Sequence, residues 1–369
     1  MCSASIFRTA TKIVRVLGYF CSKFYVEMVF SFLTQELAID LGTANTVIFQ
    51  NDKIILDEPS IIAKEVKTDN VIAVGAEAQQ MEEHTNPGIE TIRPLMNGVI
   101  ADYDAAEQML SGFIRKATRR KKSMFSPALK IVVGIPGGST KVDMRSIRDS
   151  AEHSGAHELY LIYEPMASAL GIGLEVLKPM GNMVVDIGGG TTEIAVITLG
   201  GIAESSSIHV AGNEITTDII DYLGQQHNIS IGRTTAENIK FSVGSVLTQL
   251  PAEQEPEPFV VRGKNLATGH PAEAAITYQE VAHCIDKTIC KIENEIMKVL
   301  QKTPPELYSN IVENGIWLAG GGSLLRGIAQ RFSEKTNIGF HVAEDPLKAV
   351  ARGTCEALKH TDEYKFLMR

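Results

Sequence analysis

A strand–turn–strand pattern headed by an aspartate occurs twice in this chain, and that repetition restricts the fold more than any other feature. In the first copy the apolar run Leu37-Ala38-Ile39 leads into Asp40-Leu41-Gly42-Thr43, which has turn composition, and then into the apolar, β-branched run Val47-Ile48-Phe49. In the second, Met183-Val184-Val185 leads into Asp186-Ile187-Gly188-Gly189-Gly190-Thr191-Thr192 and then Ile194-Ala195-Val196-Ile197. Aligned, Asp40 falls on Asp186 and Gly42 on Gly188. A duplicated hairpin of this kind predicts two related domains facing each other.

The rest of the chain alternates strand and helix. Residues 129–135 form a buried-strand run ended by Pro136-Gly137-Gly138, 141–154 have helical spacing, 159–162 are a short strand, and Pro165 opens a helix to 171. Further helices are expected over 214–226, 237–241 and 278–300, with an acidic, proline-rich loop at 251–258. Residues 316–319 read as a strand entering Gly320-Gly321-Gly322-Ser323, with helix from Leu324 onward. This alternation predicts an α/β protein with mixed sheets covered by helices. A length of 369 residues suits about two domains.

Charge and cysteine content exclude several classes. A net charge of -9 gives no electrostatic footprint for nucleic acid, so no nucleic-acid partner is expected. The five cysteines lack metal-ligand spacing and read as reduced cytosolic thiols. No stretch reaches about 18 uncharged apolar residues, so a conventional membrane span is not expected. Residues 1–35 nevertheless have a helical apolar face, Ile6, Ala10, Ile13, Leu17, Phe20, Phe24 and Met28, opposite Arg8, Lys12, Arg15 and Lys23. That arrangement suits a helix lying in a membrane interface. A second basic and apolar cluster, Arg119-Arg120-Lys121-Lys122 followed by Met124-Phe125, suits anionic lipid headgroups.

The two hairpins point to phosphate chemistry. Glycine allows a ligand to approach backbone N–H groups closely, and two such turns from facing domains could grip one polyphosphate from both sides. Asp40 and Asp186 would then sit near the phosphates as Mg²⁺ ligands acting through water, because Mg²⁺ keeps most of its waters. Thr43, Asn45, Thr191 and Thr192 offer hydroxyl and amide groups. Residues 319–323 place small residues where a purine and ribose would need space. Neither a Walker A loop nor a Rossmann fingerprint after a strand is present.

Two phosphate hairpins, a connecting helix and an adenosine turn, in this order, resemble the superfamily of actin, DnaK-type chaperones and sugar kinases. Within it the chain resembles the MreB family of bacterial actins. The similarity lies in Ile39-Asp40-Leu41-Gly42-Thr43-Ala44-Asn45-Thr46, Asp57-Glu58-Pro59-Ser60, Gly98-Val99-Ile100-Ala101-Asp102-Tyr103, Glu164-Pro165-Met166-Ala167-Ser168-Ala169, residues 186–193 and residues 320–327. It runs from about Glu36 to about Leu358, with many separate motifs in matching order.

The resemblance implies an actin-like ATPase fold of two duplicated lobes with RNase H-like cores, four subdomains and a nucleotide cleft between the lobes. By it, 36–63 and 97–176 form subdomain IA and 64–96 subdomain IB, with 346–369 completing that lobe. Residues 177–212 and 278–345 form IIA, and 213–277 form IIB. Thr43, Ala44 and Asn45 are implied to contact phosphate from one side and Gly188, Gly189 and Gly190 from the other. Glu237 and Lys240, with Asn238 and Ile239 between them, are implied to reach ribose and adenine, and Gly320, Gly321, Gly322 and Ser323 to line the nucleoside. Glu164 stands where the family positions the attacking water, Thr192 could assist, and Asp186 completes the catalytic set.

ATP and Mg²⁺ are the implied ligands, with self-assembly into filaments on the cytoplasmic face of the inner membrane. Met124 and Phe125 are implied to insert there, next to membrane proteins of cell-wall elongation or division. Peptidoglycan synthesis and cell shape are the implied output. A small-molecule kinase of the same superfamily and an FtsA-like division actin are the alternatives. The first would need a substrate motif that is not recognisable here, and the second carries its amphipathic segment at the C-terminus rather than the N-terminus.

Overall fold

The computed structural model of the chain describes residues 34–82, 86–118 and 128–369. The expected interfacial helix, apart from its last two residues, lies outside the described residues. So do the basic run Arg119-Arg120-Lys121-Lys122 and the membrane candidates Met124 and Phe125. Among the described residues no helix is long and apolar enough to cross a membrane.

Two five-stranded sheets of the same topology carry the architecture. In the first, strands Ala156–Tyr163, Ala128–Ile135, Thr34–Leu41, Asn45–Gln50 and Lys53–Pro59 lie side by side in that order. The last three form an antiparallel meander, and the first three run parallel. In the second, the meander is Asn182–Ile187, Thr192–Thr198 and Gly201–Ile208, and the parallel neighbours are Ile316–Ala319 and Phe340–Val342. Register places Asp40 opposite Gly134 and Asp186 opposite Ala319, so the two aspartates occupy equivalent strand ends.

Side-chain alternation sorts each central strand between two cores. Leu37, Ile39 and Leu41 enter an outer core with helices Tyr103–Thr118 and Lys141–His153, while Ala38 enters an inner one. Met183, Val185 and Ile187 likewise enter an outer core with helices Gly212–Gln226 and Tyr278–Lys302, while Val184 turns inward. The long helices start where the sequence supplies capping boxes: Thr140 with Asp143, and Thr277 with Glu280.

The inner core joins the halves. It lies between the sheets and is rich in small residues, among them Ala38, Ala195, Ala319, Ala167 and Ala351. Helix Glu164–Ile172 follows the last strand of the first sheet but packs on strands of the second. Helix Ala349–Lys359 follows the second sheet but packs on the first. The two helices cross at Gly171 and Gly353. A Cβ on Gly353 would stand 1.7 Å from the Ala167 carbonyl oxygen, and one on Gly171 would stand 1.9 Å from that of Ala349. Hydrogen replaces a side chain at both positions because the backbones touch.

Two smaller sheets extend from this body: Val71–Val74, Ile62–Glu65 and Ile89–Ile92 in the first half, and Ile229–Ser230, Phe259–Asn265 and Pro271–Ile276 in the second. One sequence expectation is corrected. The helix expected from Leu324 onward begins at Ile328, after a 3₁₀ turn over Gly321–Leu324. Residues between them are held out of helix by Arg326, which bridges to Ser245 and accepts the Val246 N–H at 3.0 Å, and by Gly327 at φ +79°.

Candidate functional site

The first turn is pinned from below by a buried serine. Ser60 donates its hydroxyl to the Gly42 carbonyl at 2.6 Å and its N–H to the Ala44 carbonyl at 2.9 Å, and its Oγ lies 2.9 Å from that of Thr46. The motif Asp57-Glu58-Pro59-Ser60 thus has a physical role: Asp57 accepts from the Asn45 side chain at 3.3 Å while Ser60 fixes the backbone. Thr43 accepts the N–H of Gly98 through its Oγ1 at 3.1 Å.

The second turn meets the first. A Cβ on Gly189 would lie 2.9 Å from the Ala44 side chain, and one on Gly190 would lie 2.8 Å from Asn97 Cα and 2.9 Å from Thr43 Cγ2. The structure therefore brings Thr43 and Ala44 against Gly189 and Gly190 across the gap between the halves. Carbonyls of Gly188 and Gly189 accept N–H groups of Gly212 and Asn213 at 3.1 and 2.7 Å, so the turn also seats the start of helix Gly212–Gln226. Thr192 is fully buried and gives its hydroxyl proton to the Val210 carbonyl at 2.7 Å, which leaves only its lone pairs to meet a ligand.

Four carboxylates converge between the turns. Asp186 and Glu193 are buried, and Asp40 and Glu164 are half-buried by surface yet closely surrounded by protein. Among the described ion pairs none involves any of the four. Burial is the leading cause of an upward shift in each. It lifts Asp40 to about 7, with Asp186 and Asp57 adding repulsion, and Asp186 to about 6 against the lowering hydrogen bond from Ser168. Glu193 rises to about 7, and Glu164 rises well above the usual carboxylate range, helped by repulsion from Asp40, Glu193 and Asp186. Burying one unpaired ion costs several kcal/mol, so four of them call for a cation. No group of three or more His, Cys, Asp or Glu among the described residues could hold a metal by itself. Asp40 and Asp186 fit a hydrated Mg²⁺ completed by phosphate oxygens.

The raised carboxylates give the ligand-free protein a pH dependence. Below about pH 4 they are protonated in folded and unfolded chains alike. Above it the unfolded chain releases these protons first, from carboxyls with ordinary values of 3.8 and 4.5. The folded chain then holds more protons, so stability falls as pH rises, until Asp40, Asp186 and Glu193 have ionised near pH 6 to 7. The slope is on the order of 1.4 kcal/mol per pH unit for each proton difference. Thermal melts of nucleotide-free protein should fall from pH 5.5 to 7.5 and flatten above, and Mg-ATP should remove most of that fall. A melting temperature that rises across this window would contradict the assignment.

The nucleoside side is a separate polar cluster. Lys240 Nζ lies 2.8 Å from Glu237, donates to Thr216 Oγ1 at 2.9 Å and to the Gly212 carbonyl at 3.1 Å, and Thr216 donates to Glu237 at 2.5 Å. Burial pulls the Lys240 ammonium below its usual range despite Glu237. The structure does not bring the intervening side chains into this cluster: Ile239 is fully buried in the outer core and Asn238 is exposed. Gly320 takes φ +74°, and a Cβ there would stand 2.4 Å from Asp186 Oδ1, so the third glycine element abuts the carboxylate group. Gly321 is exposed and Gly322 buried, and Ser323 turns its hydroxyl back to the Gly320 carbonyl at 2.6 Å.

Sequence reasoning missed three participants. Ser60 and Ser168 lay in quoted motifs without an assigned task, and Glu193 stood at the end of one. A hydroxyl or carboxylate at an otherwise apolar strand or helix position was the available signal.

Two sheets of one topology, a pair of crossed helices shared between them, and two facing aspartate-headed turns define an actin-like ATPase fold. The family model for MreB/Mbl protein matches residues 34–366, and the chain belongs to that family. It is 43% identical over 336 residues to the cell shape-determining protein MreB of Escherichia coli (strain K12), covering 89% of this chain and 94% of that one. Solved structures of MreB5 of Spiroplasma citri bound to AMPPNP and to ADP match with a TM-score of 0.82, at 33% and 32% identity, over 89% of this chain and 97% and 99% of theirs. The MamK double helical filament matches with a TM-score of 0.73 at 21% identity, over 89% of this chain and 99% of that one, a likeness of fold alone.

Proposed function

We propose that this chain binds and hydrolyses ATP with Mg²⁺ in the cleft and polymerises on the cytoplasmic face of the inner membrane, where its filaments organise peptidoglycan synthesis and cell shape. The observation that carries the reading is the set of four carboxylates, none of them in an ion pair with a described lysine, arginine or histidine, set between two glycine turns that meet. Family membership supports the same assignment, as does the binding of AMPPNP and ADP by the Spiroplasma citri relative.

Thr43, Ala44 and Asn45 hold phosphate oxygens from one side, and the turn Gly188-Gly189-Gly190 cradles them from the other with the N–H groups of Gly189 and Gly190, while the Gly188 N–H closes the turn on the Thr191 carbonyl at 2.9 Å. Asp40 and Asp186 hold Mg²⁺ through water, and the ion, when bound, neutralises phosphate charge. Glu237 and Lys240 orient the ribose and adenine, and residues 320–323 leave room for the base. Glu164 orients the attacking water, with Thr192 offering a lone pair. Catalysis by these residues is positioning and electrostatics. The lobes divide at about residue 177 into the four subdomains expected from the sequence.

Membrane attachment rests on the sequence of residues 1–35 and of 119–125. Longitudinal head-to-tail contacts are heterologous and build open filaments. The test is phosphate release by the full chain with ATP, with and without Mg²⁺ and with a panel of sugars added. Release that needs Mg²⁺, is indifferent to the sugars and is lost in Asp186→Ala supports the ATPase. Transfer of phosphate to a sugar would replace it with the small-molecule kinase.

A further inference from the structure

Glu193 has no task in the scheme above, yet it links the two halves. It is the second residue of strand Thr192–Thr198, with Asp186 opposite it on one side and Ser207 on the other. Its side chain is buried. One carboxylate oxygen accepts the Ser207 hydroxyl at 2.6 Å, within its own half. The other accepts the N–H of Gly137 at 3.1 Å, from the opposite half.

Gly137 lies in the turn Pro136-Gly137-Gly138, which ends strand Ala128–Ile135 and is closed by the Ser139 N–H on the Pro136 carbonyl at 3.1 Å. That strand is the parallel neighbour of the one bearing Asp40. The turn lies flat against its partner: a Cβ on Gly137 would stand 2.8 Å from the Glu193 oxygen, and one on Gly138 would stand 3.3 Å from Ser207 Oγ. A buried carboxylate is costly unless hydrogen-bonded, and this one takes half of its partners from across the cleft.

We infer that Glu193 is a positioning residue, an interlobe latch that fastens the 136–138 turn to the second phosphate hairpin and fixes the first half relative to Asp186. The inference rests on the cleft being the nucleotide site. Opening of the halves at this point breaks the Glu193–Gly137 bond, and closure over nucleotide remakes it. Because Glu193 is the cross-strand neighbour of Asp186, the latch stands one step from the phosphate groups.

The test compares the full-length protein with Glu193→Ala, Glu193→Gln, Gly137→Ala and the Glu193→Ala/Gly137→Ala double variant. Glutamine keeps an acceptor for the Gly137 N–H and a donor for Ser207. Amide hydrogen exchange of residues 137–139 is measured with magnesium and AMPPNP. Exchange should quicken at least about tenfold in Glu193→Ala and Gly137→Ala, stay near wild type in Glu193→Gln, and be no faster in the double variant than in Glu193→Ala alone. In steady-state phosphate release, kcat for Glu193→Ala should fall about ten- to a hundredfold, with KM changed by no more than about twofold. Wild-type exchange in Glu193→Ala, equal quickening in Glu193→Gln, or additive effects in the double variant would overturn the latch. If Glu193→Ala fails to fold, Gly137→Ala and Glu193→Gln decide alone: quickening in the first but not the second supports the latch, and any other result overturns it. If the wild type releases no phosphate, the ATPase reading fails while the exchange comparison still decides the latch.

Discussion

Changing Glu164→Gln should slow ATP hydrolysis by about a hundredfold or more while leaving nucleotide binding in place. Glu164 is the first residue of helix Glu164–Ile172, at the end of the strand Ala156–Tyr163, so its backbone is fixed from both directions. Its carboxyl shares the cleft with Asp40, Asp186 and Glu193, and crowding by them, with burial, raises its proton affinity. Cationic charge at Asp40 and Asp186 is expected to reverse that shift, so the ionised form belongs to the loaded site. Glutamine has the same shape and can still accept a hydrogen bond, but it cannot draw a proton from water. Single-turnover phosphate release should therefore collapse while the affinity for a fluorescent ATP analogue stays within a few-fold of wild type. Unchanged hydrolysis would remove Glu164 from the reaction, and lost binding would make it a structural or binding residue instead.

The second large effect is structural. Gly353→Val should prevent normal folding, with a destabilisation of about 3 kcal/mol or more, the upper range for overpacked sites. The position of an added Cβ lies 1.7 Å from the Ala167 carbonyl oxygen, and also 2.8 Å from the Gly171 N. Both are backbone atoms, so no rotamer change relieves the clash. The helices would have to separate, opening the small-residue inner core that joins the two sheets. Gly232→Ala is the control, because nothing lies within 4 Å of a Cβ there and its φ of -82° suits any residue. Thermal melts should place the control near wild type and leave Gly353→Val with a broad early transition or no soluble protein. A native melt for Gly353→Val would mean that the helices part more easily than their contact implies.

The parts of this protein legible from sequence were those with a local signature. The repeated alternation around Asp40 and Asp186 gave both the duplication and the equivalent strand ends, because period-two burial is written into neighbouring residues. Gly320 to Ser323 were recognisable as a tight turn, but the later helix start was not, since Arg326 is held extended by residues 245 and 246. The meeting of Gly171 with Gly353 was hidden for the same reason: each reads as an ordinary helix glycine until the other is brought against it. Glu193 stood at the end of a quoted motif with no task assigned to it, and only the packing of the halves shows that it reaches Gly137. Ile239 and Asn238 fell in the right motif, but helical spacing turned one into the core and the other to solvent.

Electron microscopy of the purified full chain on anionic lipid vesicles, with Mg-ATP and without nucleotide, tests the central claim most directly. A nucleotide-gated polymer predicts filaments lying on the vesicles with Mg-ATP, none without nucleotide, and none for Asp186→Ala under either condition. Bare vesicles in the presence of Mg-ATP, from protein that still hydrolyses it, would contradict the filament and favour a small-molecule kinase built on the same fold.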